Sequence, residues 1–170
     1  MTSSADLEII EHLNENLASV YRALGELAPT LRDDAFVVGT HEMSRYFGDV
    51  VLQMREFTNA EPQPVNVIMT ALRQCVERDA TGAMLLYAMS MVVGPRLLVS
   101  LRDANEVLVL ERARALCALA QDVTLRQVLA VATLVQGRAP IEEQAWQDDA
   151  REIVRLLEES GNVESFGISR

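Results

Sequence analysis

Lysine is absent from this chain of 170 residues, and all 15 of its basic residues are arginine. Without lysine, the chain cannot form a lysine Schiff base, hold a lysine-linked pyridoxal phosphate or supply the lysine of a phosphate-binding P-loop. The composition therefore excludes these enzyme classes. Arginine in place of lysine is typical of chains encoded by GC-rich genomes, so we expect a bacterial protein.

Cysteine is scarce as well, with two residues in the chain. Cys75 and Cys117 both lie among apolar residues, without a Cys-x-x-Cys pair or a neighbouring histidine. This setting is typical of small buried side chains kept in the reduced state. We therefore expect neither a disulfide nor a cysteine nucleophile.

Histidine is equally rare, with two residues. His12 follows Glu8 by one helical turn, which brings two metal-binding residue types together, but the surrounding face is charged and typical of a solvated helix surface. His41 is adjacent to Glu42, and neighbouring residues on a helix point about 100° apart, so they do not form a dyad. We expect no catalytic residue, no metal and no cofactor, with glutamate and arginine the remaining candidates for acid–base chemistry.

Positive charge is in short supply overall, because 25 acidic residues give the chain a net charge of −10. The two ends are acidic, while residues 61–138 are close to neutral. Since binding to nucleic acid requires clustered cations, we expect no nucleic-acid partner. The first residues have neither the basic nor the apolar region of a signal peptide, so we expect a cytoplasmic protein.

Strand signals are missing too, and the apolar residues recur instead at steps of three and four, as in helices that pack along one another. One such seam ends before Pro29 and a second follows it. The seams consist of Ile10, Leu13, Leu17, Val20, Leu24 and Leu27, and of Thr40, Met43, Phe47, Val50, Met54 and Phe57. This spacing predicts an antiparallel helical hairpin.

Helix punctuation along the rest of the chain predicts an all-α fold, a single bundle of six or seven helices in residues 1–161. Residues 162–170 have no helical period and are predicted to form a flexible tail. Caps and first-turn prolines set the expected boundaries. The expected helix starts are at Ser3, Asp33 or Asp34, Pro64, Asn105, Thr124 and Pro140.

The run from Ala83 to Leu101 contains a single charged residue, Arg96, and predicts a helix buried on nearly all sides. Pro95 lacks an amide hydrogen and clashes with the carbonyl four residues earlier, so we expect a kink or a restart there. An arginine in hydrocarbon is costly, so we expect a core helix and no membrane contact.

Methionines in this run suggest a ligand pocket as an alternative function. Met84, Met89 and Met91 are flexible apolar side chains, and Arg96 lies beside the predicted kink, where a cation can receive an anionic group. The alternative is therefore a small-molecule sensor, while ordinary core packing explains the same methionines.

Helix 2 has a wider apolar face than one partner helix requires, because Tyr46, Val51 and Leu52 lie off its seam. Surplus apolar surface of this kind indicates an interface. Our principal hypothesis is a non-enzymatic regulatory or assembly module whose partner is a second copy of itself, forming a homodimer, or another helical protein.

Overall fold

The computed structural model describes residues 3–138 together with 147–148, 151–152 and 154–155. Five helices make up the continuous part, and no strand occurs among the described residues. The helices are α1 Ser4–Leu27, α2 Asp34–Thr58, α3 Asn66–Arg78, α4 Ala83–Val107 and α5 Glu111–Arg138. The predicted all-α fold is confirmed, and residues 3–138 contain five helices where the predicted starts gave six.

The first two helices form the antiparallel hairpin that the seams predict. The Ser44 hydroxyl donates to the backbone carbonyl of Tyr21 at 3.1 Å, and Gly25 also faces Ser44. Further along the pair, the Tyr21 ring lies against Gly48, where a Cβ would approach Tyr21 Cε2 to 2.7 Å. Small residues on α2 therefore let the two helices approach closely.

Four long helices close into a bundle in which every neighbouring pair is antiparallel. The helix α2 contacts both α1 and α5, and α4 contacts both α5 and α1. Arg112 at the start of α5 stacks on Phe57 at the end of α2, which fixes the direction of that pair. The short helix α3 packs along α1 in the same direction and leads the chain to the end of the bundle where α4 begins.

The α-helix is interrupted directly before Pro95 and starts again at Gly94, in agreement with the predicted kink or restart. The chain widens into a π-turn over Met89–Val93 and continues as an α-helix from Gly94. The amide of Gly94 donates to the carbonyl of Met89, five residues earlier. Because a π-turn changes which carbonyls need a donor, it accommodates the amide that proline lacks.

The helices expected to begin at Asn105 and Thr124 are not separate elements. Asn105 lies in the last turn of α4, and Thr124 is buried in the middle of α5, where its hydroxyl donates to the carbonyl of Ala120. A threonine hydroxyl bonded back into its own helix does not cap a new one. Residues 108–138 therefore contain one helix, α5, in place of two.

Asp6 caps the start of α5 from the far end of the sequence. Its carboxylate is buried and accepts from the amide of Leu110 at 2.6 Å and from the amide of Val109 at 3.1 Å. An anion at this position satisfies free amides and faces the positive end of the helix dipole. A long-range contact thus performs the role that local capping rules assign to a neighbouring residue.

The other predicted boundaries agree with the structure to different degrees. Asp33 caps α2 by accepting from the amides of Ala35 and Phe36, as predicted. Ser3 is the residue directly before α1, as predicted, although its side chain makes no capping bond. The helix expected from Pro140 and the tail expected over 162–170 lie outside the described residues or largely so.

Candidate functional site

The four residues of the predicted ligand pocket differ in burial. Met84 and Met89 are fully buried in the core, whereas Met91 is 58 % exposed. The π-turn inserts an extra residue into the turn that contains Met91, and one residue rotates an α-helix by about 100°. Arg96 follows that turn and is partly buried. The structure therefore removes Met91 from the proposed pocket, and core packing accounts for the other two methionines.

The predicted interface on α2 is divided between surface and core. Tyr46 and Leu52 are exposed, but Val51 is 8 % exposed and belongs to the core cluster. Val51 and Leu52 line a groove between α1 and α2 with a volume of about 370 Å³. The expectation that Val51 provides interface surface is wrong, because the Val51 side chain is part of the hydrophobic core.

Charged side chains surround this α1–α2 groove, and most of them have partners within the fold. Arg55 pairs with Glu61 at 2.9 Å, and Arg22 donates to the carbonyl of Pro62 at 3.4 Å. Arg45 stacks on the neighbouring Tyr46 ring, 5.0 Å from its centroid. Since these guanidinium groups already contact protein atoms, the groove is a poor receptor for an anion and a modest one for an apolar partner.

Exposed apolar residues also form a row on α5, a helix on which the sequence predicted no interface. Residues on its outward side recur at steps of three and four, the spacing of helices that pack against another helix. Leu125 is 47 % exposed and Leu129 58 % exposed at the centre of this row. We call the row the α5 stripe; it consists of Ala115, Ala118, Asp122, Leu125, Leu129 and Ala132.

Two described helices are long and apolar enough to cross a membrane by length and composition, and they differ in burial. In α4, 67 % of the most apolar 18-residue segment is buried, as in the core helix of a bundle. In α5 the corresponding share is 28 %. Two such helices are weak support for a membrane span. The difference in burial shows instead that most of the apolar segment of α5 lies on the surface of the bundle.

The residue types that bind metals are not clustered in the described part of the chain, which contains no group of three or more such side chains. His12 and Glu8 therefore do not belong to a larger ligand set within that part. Both cysteines are buried and reduced, as predicted, and the Cys75 thiol donates to the carbonyl of Ala71 at 3.3 Å.

Cys117 is the titratable group that burial changes most clearly. Burial raises the pKa of its thiol to about 11, and a backbone hydrogen bond at Asn105 opposes the shift. The thiol also donates to the carbonyl of Leu101 at 2.9 Å. Because the thiolate is the nucleophilic form, a thiol held neutral to this degree is unsuited to covalent catalysis.

The raised pKa of Cys117 makes stability depend on pH in the alkaline range. An unfolded thiol ionises near pH 8.5, whereas the folded one stays protonated up to about pH 11. Stability is therefore lost as pH rises through this range, by about 2 kcal/mol between pH 8 and pH 10.5. Urea unfolding at pH 8 and at about pH 10.5 should show a drop that is smaller by this amount in Cys117→Ala. Equal drops in the two proteins would contradict the assignment.

Comparison with known proteins identifies no relative of this chain. No protein-family model matches the chain, and neither a curated protein nor a solved structure shows significant similarity to it.

Proposed function

We propose that this protein is a non-enzymatic helical module that acts by protein–protein interaction and associates with a second copy of itself. The interaction surface in this proposal is the α5 stripe. The observation that carries it is the exposure of Leu125 and Leu129 on a long helix of which only 28 % of the most apolar segment is buried.

The spacing of the stripe favours a helical partner over a flat or irregular one. Positions at alternating steps of three and four follow one side of a helix for several turns, so that a second helix can lie along them. Ala115 and Ala118 are small and exposed, which allows a close approach of the partner backbone. A second copy supplies a helix with the same spacing and length, and pairs of identical surfaces are the commonest way in which soluble proteins assemble.

The structure supports α5 over the surface expected from the sequence. Of the three residues predicted on α2, Val51 is buried, and Tyr46 serves as a platform for Arg45. On α5 the two leucines lie one turn apart, and the row continues through Ala132 on one side and through Asp122, Ala118 and Ala115 on the other. A continuous stripe excludes more water than isolated side chains, and burial of apolar area is the main source of association energy.

Substitution of the stripe leucines tests the proposal. Leu125→Gln and Leu129→Gln each remove two apolar side chains from a dimer, one per copy. If burial of the exposed half of each leucine contributes about 1 kcal/mol, the two copies together lose about 2 kcal/mol, and each variant should raise the dimer Kd about 30-fold. Sedimentation equilibrium of the wild type and both variants measures this change. Both leucines are exposed, so circular dichroism should show unchanged helix content.

Two matched controls separate the stripe from exposed apolar residues in general. Val109→Gln changes a residue that is 73 % exposed but lies outside the stripe, and Leu52→Gln changes the surface predicted from the sequence. Both should leave the Kd within about twofold of the wild type. A loss of association in Leu52→Gln with no effect of Leu125→Gln would move the interface to α2 and overturn the proposal.

Binding of α5 to lipid is the competing explanation of its exposed apolar side. Cosedimentation with vesicles of phosphatidylcholine and phosphatidylglycerol distinguishes the two. The proposal predicts a dimer that stays in the supernatant. A monomer that pellets with the vesicles, and fails to pellet as Leu125→Gln, would contradict it.

A further inference from the structure

The α5 stripe has the same pattern of steps in both directions. From Ala115 to Ala132 the steps are three, four, three, four and three, with a midpoint between Val123 and Thr124. Two copies related by a two-fold axis through that midpoint would therefore align every stripe position with another. In such an antiparallel pairing Ala118 lies opposite the partner's Leu129, so that a small side chain meets a large one.

The charges of the stripe fit the same arrangement. Within one chain, Arg126 Nε lies 3.1 Å from Asp122 Oδ2, and both side chains are well exposed. In the antiparallel pairing Asp122 faces the partner's Leu125, and the partner's Arg126 follows that leucine directly. A guanidinium group has five N–H donors, so Arg126 can keep its bond to Asp122 of its own chain and also donate to the partner's Asp122.

A parallel pairing would bring like charges together. In that arrangement equivalent positions of the stripe meet, and Asp122 would face the partner's Asp122 in the middle of an apolar seam. Like charges at such a contact are unfavourable, and a single polar residue in a seam is known to select one orientation over another. Asp122 therefore discriminates between the two orientations.

We infer that the second copy docks antiparallel on the α5 stripe, held in register by two symmetric pairs between Asp122 of one copy and Arg126 of the other. This inference rests on the self-association proposed above and specifies its geometry. It also makes the association sensitive to ionic strength, because exposed charge pairs are screened by salt.

Charge exchange between the two positions tests the inference. Asp122→Arg places two arginines opposite each other at both pairs, and Arg126→Asp places two aspartates there. Each single variant should raise the dimer Kd about tenfold or more at low ionic strength. The double variant Asp122→Arg/Arg126→Asp restores opposite charges and should return the Kd to within about threefold of the wild type.

Mixing the two single variants tests whether these charges meet between copies at all, whereas the single variants and the double variant test the orientation. A heterodimer of Asp122→Arg with Arg126→Asp has opposite charges at both pairs, although neither variant restores them alone. Native mass spectrometry of an equimolar mixture should therefore show heterodimers in clear excess over both homodimers. The charge pair within each helix stays broken in both variants, so this rescue reports the contact between copies and not helix stability.

The outcomes separate the inference from the proposed function. A wild-type dimer that Leu125→Gln disrupts, but that both charge variants leave within twofold in Kd, overturns the antiparallel register alone. Tighter association of Asp122→Asn also overturns it, because relief of repulsion indicates a parallel pairing. A wild-type protein that is monomeric at all concentrations overturns both.

Discussion

Replacing Asp6 with alanine is expected to lower the free energy of unfolding by about 3 kcal/mol. The substitution leaves the amides of Val109 and Leu110 without the carboxylate that accepts from both. It also removes a negative charge from the positive end of the α5 dipole. Hydrogen bonds to a charged group contribute more than neutral ones, and this carboxylate is buried.

Urea unfolding at a fixed protein concentration measures the effect of Asp6→Ala. Asp6→Asn retains one acceptor oxygen and should lose only about 1 kcal/mol. Glu8→Ala is a control on the same helix, since the exposed Glu8 carboxylate accepts only from the Ser4 hydroxyl, and should change stability by less than about 0.5 kcal/mol. A loss in Asp6→Ala no larger than that of the control would show that the long-range cap does not stabilise the fold.

A methyl group at Gly94 should destabilise the fold by about 3 kcal/mol. The Cβ of an alanine there would lie 2.5 Å from the carbonyl oxygen of Met89 and would also overlap a methyl group of Val128 on α5. The Val128 side chain can be shortened by substitution. The Met89 carbonyl is part of the π-turn backbone and cannot move without disturbing that turn. Thermal or urea unfolding of Gly94→Ala checks this expectation.

Two further variants test whether the contact with the Met89 carbonyl causes the loss of stability expected for Gly94→Ala. Gly137→Ala adds a methyl group where nothing lies within 4 Å of the new Cβ, so stability should stay the same or rise by up to about 1 kcal/mol. The double variant Gly94→Ala/Val128→Ala should not recover wild-type stability, because the clash with the Met89 carbonyl remains. Full recovery would show that the side chain alone limits the space and that the π-turn backbone can adapt.

The hairpin could be predicted from the sequence because its signal is local and repeated. Each turn from Ile10 to Leu27 and from Met43 to Phe57 contributes an apolar residue to a seam; Pro29 marks the break between the helices, and Asp33 caps the second. The structure adds the close contact of Tyr21 with Gly48, which depends on how two distant segments align. Such contacts have no pattern of their own in the sequence.

The α5 helix shows why its length and its exposed stripe could not be predicted from the sequence. Thr124 followed by Gln127 has the form of a capping box, and this reading divides the stripe in two at its centre. In the structure the Thr124 hydroxyl bonds within the helix, and the cap that starts α5 comes from Asp6, 104 residues before Leu110. The steps of three and four from Ala115 to Ala132 were present in the sequence, but only an uninterrupted helix places them on one side.

The predicted methionine pocket failed for a related reason. An ideal α-helix would place Met84 and Met91 nearly on the same face, seven residues apart. The π-turn over Met89–Val93 changes that phase; it lies directly before Pro95, and Gly94 packs against Val128 of α5. The kink or restart predicted at Pro95 does not say by how much the helix is rotated, so the side on which Met91 lies could not be predicted.

The mass of the full chain in solution tests the central claim most directly. Multi-angle light scattering across a range of concentrations should show a species approaching twice the 18.8 kDa of one chain, and the Leu125→Gln variant should remain at the mass of one chain under the same conditions. A wild-type protein that keeps the mass of a single chain at every concentration, or a variant that dimerises as well as the wild type, would contradict the account.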